Sequence, residues 1–182
     1  SGFAHYCANS TGTYAPHWLF DPSYYRSHDV ELSARSKEGT IFRDDYDHFL
    51  QVGARMGLAP SVFFDEAVYA SSLSSEQSTG LRKEGGYRHY LRRFPQTLPE
   101  LRLSSYFEPF AYLRKYPAVA VEILKGRWSS ALEHFLTAPD HEQFRPSALF
   151  SERRYLELNP DLASYVERDG SNRAAYKHFI RF

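Results

Sequence analysis

A short apolar stripe recurs along the chain beside a histidine. Residues 46–50 read YDHFL and residues 87–91 read YRHYL, with apolar side chains at positions i, i+3 and i+4. That spacing places three side chains on one narrow face of an α-helix. LEHFL at 132–136 and YKHFI at 176–180 have the same stripe, and FAHYC at 3–7 also fits it. The pattern predicts a helix that returns every 41 to 45 residues.

The histidine of this motif lies on the other side of the predicted helix, about 200° around from the start of the stripe. We therefore expect it to contact a second layer, such as the neighbouring repeat, through a ring nitrogen bonded to another helix. An exposed row of imidazoles that binds a repetitive ligand is the alternative. The residues concerned are His48, His89, His134 and His178.

A second motif runs in phase with the first and predicts the start of another helix. A phenylalanine is followed by a tyrosine five residues later, in FDPSYY, FDEAVY, FEPFAY and FSERRY. The residue after the phenylalanine is the expected N-cap, for which glutamate is the poorest choice, and the Phe–Tyr pair is the expected hydrophobic staple. The N-caps are Asp21, Asp65, Glu108 and Ser151. The staple pairs are Phe20 with Tyr25, Phe64 with Tyr69, Phe107 with Tyr112, and Phe150 with Tyr155.

A middle helix is predicted between these two motifs. NPDLASYVERDG at 159–170 has a cap, a proline in the first turn and a glycine stop, and YPAVAVEILKG at 116–126 is a weaker version. The equivalent SHDVELSARSKEG at 27–39 lacks the proline, and SSLSSEQSTG at 71–80 is more polar still. We expect the middle helix of the second copy to be short or distorted.

These patterns predict an all-α fold, a solenoid-like helical repeat array of about four units with about three short helices each. Both ends of the sequence interrupt a unit, so residues 1–182 are interpreted as one repeat domain excerpted from a longer chain. The units are approximately 1–16 (partial), 17–60, 61–104, 105–147 and 148–182 (truncated).

Composition narrows the functional classes. Lys plus Arg and Asp plus Glu are equal at 22 each, which provides no net field to attract nucleic acid. The sequence contains one cysteine, Cys7, which excludes an intrachain disulfide framework, and it has no apolar run long enough to span a bilayer. We expect a cytoplasmic location, with the cell surface or secretion as alternatives.

The order Phe-Asp-x-x-x-Tyr, Asn-Pro-Asp-Leu, His-aromatic and Gly-Ala-Arg-x-Gly-x-x-Pro resembles a degenerate helical repeat of bacterial proteins. Such repeats are appended to glycosyltransferases, to other polysaccharide-biosynthesis proteins and to some large secreted proteins. The resemblance covers nearly the whole chain, although no single copy holds every element. It implies a non-catalytic module beside an enzyme, and it transfers no active-site residue.

Candidate chemistry is sparse. Asp45-Tyr46-Asp47 matches the metal-binding Asp-x-Asp of some glycosyltransferases, but that motif needs a preceding strand, and here it lies in a predicted helix. The repeated histidines are expected about 10 Å apart, too far to share a zinc ion. We predict no catalytic residue, no metal site and no cofactor.

One basic segment of the sequence favours a function in binding an acidic ligand. Residues 81–104 have a local charge balance of +4 with interleaved aromatic residues, which suits an acidic polysaccharide or an acidic protein surface. The candidate ligand-binding residues are Tyr87, Arg88, Arg92 and Arg93.

The sequence thus favours an interaction or scaffold module that accompanies a catalytic domain in bacterial glycan biosynthesis. Its expected partner is a neighbouring domain of the same longer chain or another protein. A carbohydrate- or acidic-polymer-binding module is the first alternative, and a contribution to the substrate site of a glycosyltransferase is the second.

Overall fold

The fold was analysed in a computed structural model, which describes residues 15–28, 42–93, 101–139, 143–171 and 173–182. The copy FAHYC at 3–7 lies outside these residues, as does nearly all of the segment expected to form the middle helix of the first copy.

Eleven α-helices and no strands are found in the described residues. The all-α class predicted from the sequence is therefore confirmed for this part of the chain. The helices are α1 Pro22–His28, α2 Asp45–Gln51, α3 Glu66–Ser71, α4 Leu81–Glu84, α5 Gly86–Arg93, α6 Pro109–Lys115, α7 Pro117–Leu124, α8 Ala131–Thr137, α9 Glu152–Leu158, α10 Ala163–Asp169 and α11 Ala174–Arg181. The described residues also include the 3₁₀ turns Gly53–Arg55 and Pro160–Leu162.

Three α-helices follow one another in each of the second, third and fourth copies of the repeat. These are α3–α5, α6–α8 and α9–α11, while the first copy contributes α1 and α2 from its described residues. The first helix of each copy follows the staple phenylalanine, and the third helix contains the histidine.

The capping of the first helices follows the chemistry of each N-cap residue. The Asp65 carboxylate accepts hydrogen bonds from the backbone N–H groups of Ala67 and Val68, and Ser151 caps α9 in the same way. Asp21 accepts from the backbone N–H of Tyr24. Glu108 makes no side-chain cap bond, because its longer chain does not suit the local geometry.

The middle helix differs most between copies. In the second copy it is the single turn α4, which begins after Gly80 at φ +91°, while residues 71–80 form mainly turns. The expectation of a short helix was right, but its position is later than SSLSSEQSTG. Helix α10 ends as predicted at Gly170, whose φ of +63° suits a left-handed cap.

The chain divides into two compact units, residues 1–93 and residues 94–182. Each unit contains two of the four main copies and has its own aromatic core. In the first unit the backbone of Gly85 lies so close to the carbonyl of Ala54 that an added Cβ would stand 2.3 Å from that oxygen. Glycine at position 85 therefore allows the two copies of this unit to approach closely.

Candidate functional site

Each copy contains a hydrogen bond between the staple tyrosine of its first helix and the histidine of its third helix. The tyrosine hydroxyl and the histidine Nδ1 lie 2.8 to 3.0 Å apart in all four copies. The pairs are Tyr25–His48, Tyr69–His89, Tyr112–His134 and Tyr155–His178. The histidine is thus bonded to another helix, as expected, but that helix belongs to its own copy rather than to the neighbouring repeat.

The contacts of His89 define which of its ring nitrogens carries the proton. Nε2 lies 3.1 Å from the backbone carbonyl of Thr79, and a carbonyl oxygen can only accept. In the neutral ring Nδ1 is then unprotonated and accepts from the hydroxyl of Tyr69. His89 is fully buried, and both of its ring nitrogens have partners within the protein.

The environment of His134 disfavours its charged form. Edge-on rings of Trp128 and Phe144 lie with their centroids 4.5 Å from the imidazole. Burial, followed by the positive charge of Arg173, lowers the pKa of His134 to about 4. Burial also raises the pKa of its partner Tyr112. At neutral pH this pair is an uncharged O–H···N hydrogen bond rather than a proton-transfer couple.

The staple phenylalanines complete a repeated aromatic cluster. Each packs against the tyrosine five residues later and against the aromatic residue after the histidine. In the third copy, the Phe107 ring lies 5.0 Å from that of Tyr112 and 5.1 Å from that of Phe135. The four phenylalanines are buried, at 2 to 5% exposure: Phe20, Phe64, Phe107 and Phe150.

The candidate ligand-binding residues do not form one surface. Tyr87 is 1% exposed, and its ring packs edge-on against Phe49 and Phe64, so it presents no ring to solvent. Arg92 and Arg93 are exposed on α5, and Arg88 is half-buried. Arg92 lies 2.8 Å from a carboxylate oxygen of Glu84.

A buried arginine between the third and fourth copies was not anticipated from the sequence. Arg173 donates from Nε to the backbone carbonyl of Phe135 at 2.7 Å, and its guanidinium stands 3.9 Å from the centroid of the Phe135 ring. Its Nη1 lies 2.9 Å from a carboxylate oxygen of Glu152. With the histidines aligned, the same position is Arg43, Glu84 or Ser129 in the other copies, so no repeated pattern marked it.

The second unit has an open cleft of about 510 Å³ beside this ion pair. Phe144 and Leu156 supply apolar walls. Two arginines and two glutamates supply the charges: Arg145, Arg153, Glu152 and Glu157. Its size suits a small polar molecule. The charges are balanced and no catalytic pair converges on one point of it.

The two aspartates of the Asp-x-Asp match make contacts within the first copy. The Asp45 carboxylate pairs with Arg26, and the Asp47 carboxylate accepts from the backbone N–H of Arg43 and from Gln51. Within the described ranges, no group of three or more His, Cys, Asp or Glu side chains is placed to hold a metal ion.

No helix among the same residues has the length and apolar character needed to cross a bilayer.

Comparisons of the chain with protein-family profiles, with curated proteins and with solved structures give no significant match.

Proposed function

We propose that this chain is a non-catalytic interaction module, a stacked array of helical repeats that positions a neighbouring catalytic domain. The observation that carries the proposal is that the recurring residues contact one another inside each copy. The tyrosine, histidine and phenylalanine of each copy bond or pack to one another. Residues that recur in a repeat in order to bind a ligand would have to lie on the surface of each copy, where together they would form an array of identical sites.

Contacts between successive copies support stacking within each unit. In the first unit, the Tyr87 ring of the second copy packs edge-on against Phe49 of the first, with centroids 5.0 Å apart. In the second unit, Tyr176 of the fourth copy meets Phe135 of the third in the same way, at 5.8 Å. Tyr87 and Tyr176 both lie two residues before the histidine of their copy. The same joint therefore recurs, as a solenoid requires.

The resemblance to repeats appended to polysaccharide-biosynthesis enzymes supports bacterial glycan synthesis as the setting. The proposal is tested by deleting residues 15–182 from the polypeptide that carries them and assaying the remaining catalytic domain. We expect the turnover number on a soluble acceptor to be retained, while assembly with partner proteins or use of a polymeric acceptor is lost. Loss of turnover on the small acceptor, with the remaining domain folded, would favour a glycosyltransferase substrate site instead.

A binding module for an acidic polymer is the second candidate, because basic side chains are exposed on α4 and α5. Arg82, Lys83, Arg92 and Arg93 are all exposed there, and Glu84 is the one acidic residue of these two helices. Such a surface would bind a polyanion in a salt-dependent way. Titration with an acidic polysaccharide tests it. Charge reversal at Arg82 and Arg93 should remove that binding, whereas reversal at Arg153 and Arg168 in the second unit should not.

A further inference from the structure

The fourth copy exposes two apolar side chains that the first copy buries. Because the staple and histidine motifs of these copies are both 130 residues apart, the two copies align without gaps, and Leu149 and Phe179 correspond to Leu19 and Phe49. Leu19 and Phe49 are 0% exposed, whereas Leu149 is 98% and Phe179 is 50% exposed. We call the exposed part of Phe179 the copy-4 face. The residue types are identical, so the difference comes from what lies against them.

The inner side of Phe179 is packed as in the other copies. Its ring lies 4.9 Å from that of Phe150 and 5.6 Å from that of Tyr155, which repeats the arrangement of Phe135 with Phe107 and Tyr112. Every ring contact of Phe179 within the described residues comes from its own copy. Phe179 therefore packs on its own copy as Phe135 does, and what it lacks is the aromatic contact from a following copy.

Phe49 and Phe135, the equivalents of Phe179 in the first and third copies, each have contacts from the following copy. Each is met edge-on by the tyrosine that lies two residues before the histidine of the following copy. At Phe135, Arg173 of the following copy also covers the ring and donates to the backbone carbonyl. Within the described residues Phe179 has no such aromatic contact from another copy, and it is 50% exposed.

We infer that the copy-4 face is the docking surface for a further copy of this same repeat, following on the same polypeptide. The partner presents an aromatic residue two positions before its histidine and an arginine five positions before it, as the fourth copy itself does with Tyr176 and Arg173. The inference rests on the proposed array, because it extends a joint that occurs once in each unit.

The test appends a duplicate of residues 139–182 directly after Phe182, which keeps the spacing of the third and fourth copies. The duplicate places its own equivalents of Arg173 and Tyr176 in register with Phe179. Amide hydrogen exchange in α11 of the original fourth copy should slow by about tenfold or more, because helix opening would then break the new joint. A matched control has the same extension with Tyr176→Ala and Arg173→Ala made only in the duplicate, and it should show no slowing.

A second measurement compares Phe179→Ala in the unextended and extended chains. The loss in Tm should be at least twofold larger in the extended chain, where the ring is covered on both sides. Phe110→Ala provides the control, since Phe110 is 67% exposed in the third copy and its loss in Tm should be equal in both chains.

Equal effects of Phe179→Ala in the two chains, together with unchanged exchange in α11, would overturn the inference. Concentration-dependent self-association of the unextended chain that Phe179→Glu abolishes would also overturn it, because the occupant would then be a second molecule. Neither result would alter the outcome of the deletion experiment on the catalytic domain, so the two proposals fail independently.

Discussion

At the scale of single residues, the Tyr–His hydrogen bond is the most regular feature of this protein. It occurs in all four copies although the surrounding sequence varies widely. The histidine and tyrosine positions were accessible from the sequence because each has a fixed offset from an apolar marker. Their mutual contact was not, because the sequence gives the direction of a side chain on its own helix but not the helix that packs against it.

Replacing His89 by alanine should lower the free energy of unfolding by about 1 to 3 kcal/mol, because the Tyr69 hydroxyl and the Thr79 carbonyl lose a buried partner. Urea denaturation followed by circular dichroism measures the loss. His28→Ala is the matched control: His28 is exposed and bonds within its own helix, so its removal should change stability by less than about 0.5 kcal/mol. Equal stability of the His89 variant and the wild type would show that the pair is not structural.

His134 should make stability depend on pH. Its pKa is about 4 in the folded protein and near 6.5 in the unfolded chain, so between these values the unfolded chain binds more protons. Stability from this group is therefore complete above about pH 6.5 and is lost as the pH falls toward 4. Urea midpoints at about pH 7 and pH 5 measure the effect, and His134→Gln should have a smaller difference between them. The same difference in both proteins would contradict the assignment.

At the scale of helices, the staple phenylalanine ties the first helix of each copy to the third. The shared phase of two motifs predicted this arrangement, since each motif alone defines a helix and their constant separation defines a unit. The middle helix was predicted less well. Its sequence has few apolar residues in the second copy, so turn geometry around Gly80 rather than apolar periodicity determines where α4 begins.

Phe107→Ala should cost about 3 to 5 kcal/mol, because the ring is 2% exposed and packs between Tyr112 and Phe135. The loss should reach the fourth copy as well, since Phe135 also supports Tyr176. Chemical denaturation gives the total, and hydrogen exchange in α11 reports the spread. Phe110→Ala, three residues along the same segment, should cost less than about 0.5 kcal/mol. A cost below about 1 kcal/mol for Phe107 would mean that the staple does not support the core.

At the scale of the whole molecule, both units join their copies through the same edge-on aromatic contact, and the second unit adds a buried arginine to it. Tyr87 was expected at a binding surface because it stands among arginines in the sequence, but it is the aromatic contact between two copies. Arg173 was not singled out because an isolated arginine usually lies on the surface. The burial of both residues has one physical cause: burial at a joint depends on the neighbouring copy, which local sequence does not define.

Arg173→Ala should lower the stability of the second unit by about 3 to 5 kcal/mol, since it leaves the Glu152 carboxylate without its buried partner and uncovers the Phe135 ring. Protection against hydrogen exchange should fall in both α8 and α9, on the two sides of the joint. Arg154→Ala removes an exposed ion pair with Glu157 and should cost less than about 0.5 kcal/mol. Loss of protection confined to α11 would show that Arg173 does not connect the copies.

The close approach of Gly85 to Ala54 has a consequence for how such a protein can evolve. With the histidines aligned, Gly85 takes the place of Ala174, and the residue before it is Glu84 where the other unit has Arg173. A copy moved by recombination from one unit to the other would keep its internal Tyr–His bond and its staple. It would nevertheless bring a methyl group where only a glycine fits, or a carboxylate where the carbonyl of Phe135 needs a donor. Substitutions on the outer surface of a repeat can therefore accumulate independently. Substitutions at a joint must remain compatible with the residues of the neighbouring copy.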